Sequence, residues 1–306
     1  MSRSLALMFV ALLAIAAGCE NKPVAPPPWG VPARAIRFAS YNTFKSNRGR
    51  DKVLADIRSK SPDILFLQEV PTELPDETAR QLGMHHAFRK HVNYPSEGIA
   101  IYSRWPLRNV APVVDKNGRT CALFADVEVD GRSFTVVSVH LEATTKRTVG
   151  NVLWSDRVRG EEIALIRKTW SARGSHPIVI AGDFNQIPAG FNYSAMTSDL
   201  KDALGWIGKP SPTLGDGNVR LRVDYFLCSN EWKPLDGGVV VSDASDHDMI
   251  WIEAKGAGGG AAGGAGGAGE AATTQAASSR LSLASRQSTR AAAGSIPAAA
   301  AAGRRG

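Results

Sequence analysis

The sequence predicts an α/β domain, in the wide sense that includes α+β, built from two packed β-sheets with helices on their outer faces. Three observations carry this expectation. Short apolar strands alternate with amphipathic helices, a hairpin signal interrupts that alternation, and no internal repeat is present. Connections of both kinds call for mixed sheets, and mixed sheets hide their apolar faces against each other and under helices.

Ile36 to Tyr41 alternates as a half-buried strand, and Lys52 to Ile57 places Val53, Leu54 and Ile57 at helical spacing. Ser61-Pro62-Asp63 stops that helix before the apolar strand Ile64 to Leu67. Ile99 to Ser103, Ala122 to Val129 and Phe134 to Leu141 read as further strands, the last two joined by Asp130-Gly131, a two-residue hairpin signal. Trp154 to Trp170 has helical character and Pro177 to Ala181 reads as a buried strand. Val223 to Cys228, Gly238 to Val241 and Met249 to Ile252 complete the set.

The ends of the 306-residue chain have a different character. Leu5 to Ala17 is an apolar run behind Arg3, too short to span a bilayer but of signal-peptide length. Ile15-Ala16-Ala17-Gly18-Cys19 resembles a bacterial lipobox, which implies lipidation of Cys19 after cleavage; ordinary secretion and an uncleaved anchor stay open. The expected organisation is a signal peptide over 1–19, a proline-rich tether over 20–32, one folded domain over 33–255 and a disordered Gly/Ala/Ser/Arg tail over 256–306. The expected location is the bacterial cell envelope, as a periplasm-facing lipoprotein or a secreted protein, and the expected state is a monomer.

The formal charge of +7 invites a nucleic-acid reading, but the ends hold six arginines and one glutamate. Glu20 to Lys255 therefore carries a net charge of only +2, which argues against a simple basic DNA-binding face. Cys121 and Cys228 fall in predicted strands, as buried thiols or, in an exported protein, as a disulfide.

Five segments end apolar runs with acid, amide or imidazole groups: Ser40-Tyr41-Asn42, Leu67-Gln68-Glu69, Ser138-Val139-His140, Gly182-Asp183-Phe184-Asn185 and Ser245-Asp246-His247. Loops at one edge of a layered domain can gather such groups into a site for a hard cation and a phosphate. Glu69 emerges from Ile-Leu-Phe-Leu-Gln, where a carboxylate must be solvated, paired or metal-bound. Asp183 and Asn185 share one face of extended chain, and Gly182 admits close backbone approach; an Asx turn is the simpler alternative. Asp246 and His247 are adjacent and need the preceding Ser242 to Ser245 loop to converge.

In this order, with Arg222-Val223-Asp224-Tyr225 before the last, the segments resemble the endonuclease/exonuclease/phosphatase superfamily from about Ile36 to Glu253. The resemblance implies a four-layer α/β/β/α sandwich of two packed mixed sheets flanked by helices, the DNase I-like fold. It implies Glu69 as principal metal ligand, with Asn42 beside it and Asp246 completing the site for Mg²⁺, or Mn²⁺ as a substitute. Asp183 would position or deprotonate the attacking water, and Asn185 would contact phosphate or metal. His140 matches a phosphate-binding position, and Asp224 would hold the His247 ring, which acts either as a charge stabiliser or as the base.

Other positions bear on the substrate. Leu221 stands where abasic-site nucleases usually carry tryptophan, which lowers that activity as an expectation. Arg119, Lys146, Arg147, Arg157 and Arg159 are phosphate contacts or solvated charges, and His85, His86, His91 and His176 read as surface or loop residues. The expected partner is a phosphodiester substrate, nucleic acid or lipid headgroup, with the membrane reached through Cys19. Inositol phosphates or phosphoinositides as phosphomonoester substrates, or a catalytically silent surface-binding lipoprotein, are the alternatives.

Overall fold

The computed structural model describes residues 28–43, 49–93, 95–146, 148–215 and 219–257. The signal and lipobox segment with Cys19, residues 20–27 of the tether, and the tail from residue 258 lie outside the described residues.

Two six-stranded sheets pack face to face. The first contains β1 (Ile36–Asn42), β2 (Ile64–Pro71), β3 (His85–Lys90), β4 (Glu97–Ser103), β11 (Trp232–Val240) and β12 (Met249–Gly256), in the order β11-β12-β1-β2-β4-β3. The second contains β5 (Leu107–Val114), β6 (Thr120–Val129), β7 (Arg132–His140), β8 (Ile178–Asp183), β9 (Lys201–Asp202) and β10 (Asp224–Cys228), in the order β5-β6-β7-β8-β10-β9. Both sheets are mixed: β1 runs parallel to β2 and β7 parallel to β8, while the other pairs are antiparallel.

Alternation along the strands builds three apolar layers. Phe38, Phe66, Phe134, Val136, Phe226 and Trp232 fill the space between the sheets, with Phe38 and Phe134 each meeting the Trp232 ring edge-on. On one outer face, Ile163, Ile166 and Trp170 of α3 (Val149–Ala172) cover Val137, Val139 and Ile180. On the other, Val53 and Ile57 of α1 (Arg50–Lys60) and Ala79 of α2 (Pro75–Leu82) cover Tyr41, Leu65 and Leu67. These layers make the expected α/β/β/α sandwich. The described chain also contains α4 (Tyr193–Thr197) and α5 (Ala203–Trp206), and none of its helices is long and apolar enough to cross a membrane.

The register gathers the motif-bearing ends. Asn42 lies beside Gln68, His140 beside Asp183, and Asp183 beside Asp224, so these strands put their functional residues at one edge of the sandwich. Helix α3 joins the end of β7 to the start of β8, which brings its N-terminus to that same edge, capped by the Thr148 hydroxyl accepting Asn151 N–H at 3.3 Å.

The folded domain extends past the expected bounds of 33 and 255 on both sides. Pro28–Pro32, expected in the tether, is held on the domain: Gly30 N–H donates to Ser133 O at 2.8 Å, Gly256 N–H to Pro32 O at 2.9 Å, and Trp29 stacks on His176 at 3.5 Å. Gly256, expected to open the tail, is the last residue of β12. Cys121 and Cys228 are buried free thiols.

Candidate active site

Glu69 owes its position to a break in pairing. The register of β2 against β4 shifts between Leu67 and Val70, and Glu69 itself takes φ +53°, so a bulge turns its side chain out of the regular alternation. Its neighbour Gln68 stays buried and donates Nε2 across to Ser138 Oγ at 3.1 Å, joining the two sheets beneath the site.

Asn42 ends β1 and is almost fully buried. Its Nδ2 donates at 3.2 Å to Glu69 Oε1 and at 3.2 Å to Asp183 Oδ2. Asp183 ends β8, where Gly182 with φ +149° lets the strand lie against β7. Asn185, at φ +48°, donates its backbone N–H to Asp183 Oδ1 at 2.8 Å and its Nδ2 to Asp183 Oδ2 at 3.1 Å and Leu141 O at 3.1 Å. The Asx turn is therefore present, and it aims both side chains into the cluster.

His247 is buried, with Nδ1 2.9 Å from Asp224 Oδ2 and Nε2 3.6 Å from Asp183 Oδ2. Burial opposes charge on this ring, but Asp224 and Asp183 outweigh it and lift the imidazole to about 10. Burial also drives the Asp183 carboxyl well above its usual range; His247 pulls it back and Asp224 pushes it further up. His140 ends β7 with Nε2 3.8 Å from Glu69 Oε1 and 3.7 Å from Asp183 Oδ2. Asn42, Glu69, His140, Asp183, Asn185, Asp224 and His247 are thus brought together by direct contacts.

Asp246 stands apart: its side chain is exposed, and its loop is fastened by Ser245 Oγ donating to Asn42 O at 2.8 Å and by Gly215 N–H donating to Asp246 O at 3.3 Å. Oxygen donors of Glu69, Asp246 and Asn42 suit a hard cation. Two acids, Glu69 and Asp183, also converge on the Asn42 amide, an arrangement that favours positive charge between them. Asp183, Asp224 and His247 form a second close group, but there the ring already sits between the carboxylates.

Two of the five basic residues, Arg119 and Arg159, are buried and spend their donors inside the protein. Arg119 is buried and holds the His140 strand end, donating to His140 O and Leu141 O at 3.1 Å and pairing with Glu142 at 2.9 Å. Arg159 is buried and ties Glu142 O at 3.0 Å to Gln186 Oε1 at 3.2 Å, fastening the loops after β7 and β8 to each other. Lys146 is exposed, Arg157 is exposed and paired with Glu161, and Arg147 lies outside the described residues.

His91 corrects the surface expectation. It is buried, accepts Thr120 N–H at Nδ1 at 3.1 Å, and its ring centre lies 6.1 Å from that of His140. A histidine following an edge strand carries no signal of this in sequence. His176 is half-buried against Trp29, while His85 is exposed and His86 half-buried beside Tyr102.

The profile described as the Endonuclease/Exonuclease/phosphatase family matches residues 39–247. Among solved structures, an endonuclease/exonuclease/phosphatase from Beutenbergia cavernae is similar at TM-score 0.60 and 20% identity, over 74% of this chain and 72% of that one. The human Nocturnin catalytic domain with bound sulfate gives 0.60 and 19%, over 73% and 94%. The Neisseria 3' phosphatase NExo bound to a product DNA hairpin gives 0.59 and 18%, over 71% and 98%. Comparison with curated protein sequences gives no match.

Proposed function

The chain belongs to the endonuclease/exonuclease/phosphatase family, and from that premise we propose that it is an exported, Mg²⁺-dependent phosphodiesterase acting on nucleic acid or a lipid headgroup. The carrying observation is the imidazole of His247 held between Asp224 and Asp183 at the edge where Glu69 and Asn42 converge. Glu69 and Asp246 are the carboxylates that would hold the metal, with Asn42 beside Glu69. A bound Mg²⁺, or Mn²⁺ in its place, polarises a phosphoryl oxygen and acidifies a water.

The chain's own groups divide the rest of the work. Asp183, buried and of raised proton affinity, accepts the proton of the attacking water at Oδ2. Asn185 keeps that carboxylate in one orientation through two hydrogen bonds. His247 stays protonated near neutral pH and meets the charge developing on phosphorus-bound oxygen, while Asp224 fixes the ring through Nδ1. This assigns His247 as charge stabiliser rather than base. His140 contributes a second imidazole, with Nε2 3.7 Å from the same Asp183 Oδ2. The site is proposed to work at the bacterial cell envelope, in a monomer exported as a lipoprotein through Cys19 or as a secreted protein.

The test is a panel of plasmid DNA, RNA, sphingomyelin and phosphoinositides incubated with the purified chain, with Mg²⁺ or with excess EDTA. Hydrolysis of a phosphodiester that stops in EDTA is expected. Glu69→Gln should lower kcat by about 10²-fold or more and weaken the Mg²⁺ dependence, whereas His247→Ala should lower kcat by about 10² to 10⁴ with little change in metal affinity. Hydrolysis persisting in EDTA, or near-normal turnover by His247→Ala, would sink the reading.

A further inference from the structure

Among the described residues, one group of acids stands outside the catalytic cluster: Asp115, Glu142 and Glu162. Asp115 opens the loop between β5 and β6, Glu142 follows the end of β7 by two residues, and Glu162 lies on the covered face of α3. Each offers a carboxylate oxygen, and the three oxygens lie within 4.8 Å of one another. Asp115 is 7% exposed and Glu162 0%, and the Glu142 side chain is 12% exposed. Carboxylates gathered this closely repel one another, and burial denies them the water that would screen the repulsion.

The protein's own positive charge covers only part of this group. Arg119 pairs with Glu142 at 2.9 Å, spends its other terminal nitrogen on His140 O and Leu141 O, and gives Asp115 Oδ1 only its backbone N–H, at 2.8 Å. Asp115 Oδ2 has a single long contact, from Asn117 Nδ2 at 3.4 Å. Glu162 Oε2 accepts Glu142 N–H at 2.8 Å, but Oε1 is buried with no hydrogen-bond partner among the described residues. Lys116, next to Asp115, pairs with Glu161 instead, and Lys168 is exposed. Three carboxylates thus share one guanidinium, and a buried carboxylate oxygen is left without a donor.

A surface cavity of about 360 Å³ lies against Asp115 and Glu162, with Val158, Leu165 and the Lys116–Glu161 pair around it, and it gives water and an ion a path to these carboxylates. Ca²⁺ takes about six to eight oxygens at roughly 2.3–2.6 Å, so oxygens on opposite sides of the ion stand about 5 Å apart. Oxygens within 4.8 Å of one another can share it without movement of the main chain. Mg²⁺ binds through one or two carboxylates and keeps its waters, so three carboxylates from three chain segments suit the larger ion better.

We propose that Asp115, Glu142 and Glu162 bind a Ca²⁺ ion, at a site separate from the one that Glu69 and Asp246 form. Glu162 Oε1 is its buried ligand, and water from the cavity completes the shell. The ion ties the loop before β6 and helix α3 to Glu142, and so braces the strand end that carries the His140 imidazole. Its test reads ion binding and not hydrolysis, so it stands or falls independently of the proposed activity.

The experiment uses the full-length chain, stripped of metal with EDTA, returned to chelator-free buffer at pH 8 and titrated with CaCl₂ by calorimetry. That pH lies above the value of about 7 to which burial raises Glu162, so its carboxylate is ionised. Glu69→Gln, which removes a carboxylate of the proposed catalytic metal site, should keep a Ca²⁺-binding event with a dissociation constant of about 10⁻³ M or tighter. Adding Glu162→Gln should weaken that event by about tenfold or more, and so should adding Asp115→Asn, which keeps an acceptor for the Asn117 and Arg119 N–H groups. Ca²⁺ at about ten times the dissociation constant should raise the melting temperature of Glu69→Gln by about 3 °C or more and leave that of the Glu162 double variant unmoved. Melts in EDTA show which variants are folded, and if one of the two double variants is not, the other decides. The proposal is overturned if Ca²⁺ does not bind up to about 10 mM, well above the weakest constant expected. It is overturned equally if Glu69→Gln alone removes the binding, or if a folded double variant binds Ca²⁺ as tightly as Glu69→Gln does.

Discussion

Glu162 lies on the covered face of α3, fully buried, with Oε2 accepting Glu142 N–H at 2.8 Å and Oε1 without a hydrogen-bond partner among the described residues. Burial raises its carboxyl to about 7, although the Arg119 guanidinium pulls the other way. A carboxyl whose folded pKa exceeds its unfolded value binds more protons when folded, so its contribution to stability is complete below about 4.5 and is lost as pH rises through about 7. Glu162→Gln keeps an acceptor for Glu142 N–H and carries no charge. At pH 8 the variant should melt higher than wild type by about 2–6 °C, and the advantage should fade as pH drops toward 4.5. Thermal melts of the two proteins across that range check the sign; an advantage that grows on acidification would contradict it. Residues of this kind were illegible in the sequence because their behaviour depends on what surrounds them. Arg119 and Arg159 read as phosphate contacts or solvated charges and His91 as a surface or loop residue, yet the fold buries all three around the ends of β7 and β8.

At the scale of elements, legibility followed burial. The interior strands β1, β2, β4, β6, β7, β8, β10 and β12 carry either an apolar run or apolar and polar residues in alternation, and each is visible as a strand in sequence. The edge strands β3 and β5 are not: β5 mixes exposed and half-buried positions and contains Pro112, and β3 has Ala87 as its one fully buried residue. The hairpin at Asp130-Gly131 was legible because both residues need positive φ, and they take +50° and +70°. The bulge at Glu69 was not, since nothing in Leu67-Gln68-Glu69 announces a register shift. Gly182 is the firmest constraint in any element. A Cβ there would lie 1.9 Å from Val139 O, in the neighbouring strand, and its φ of +149° is one that side chains rarely adopt. Gly182→Ala must therefore part β7 from β8 next to His140 and Asp183. We expect a loss of at least about 3 kcal/mol, read as a fall of roughly 10 °C in melting temperature or as failure to fold. A variant melting within a degree of wild type would show that the two strands relax freely.

The whole molecule is organised around the separation of its two edges. Six distant segments deliver the candidate catalytic groups to one edge: parallel pairing of β1 with β2 and of β7 with β8 makes their ends coincide, and antiparallel pairing sets the start of β10 beside the end of β8. That convergence was readable from the order of motifs, whereas the docking of Pro28–Pro32 at the other edge was not, since a proline-rich stretch reads as a tether by composition alone. Trp29 is the residue that changes this. Its ring stacks on His176 at 6° and its neighbours Pro28 and Gly30 exchange backbone hydrogen bonds with Ser133, so it closes the end of the β7–β8 pair. Stacked aromatic contacts of this kind are worth about 0.5–1.5 kcal/mol beyond the area they cover. Trp29→Ala should then lower the melting temperature by about 2–6 °C. Truncation that removes residues 1–27 should leave the melting temperature unchanged, and one that removes residues 1–32 should lower it at least as far as Trp29→Ala does. Equal melting temperatures for the two truncations would mean that this segment rests on the domain without supporting it.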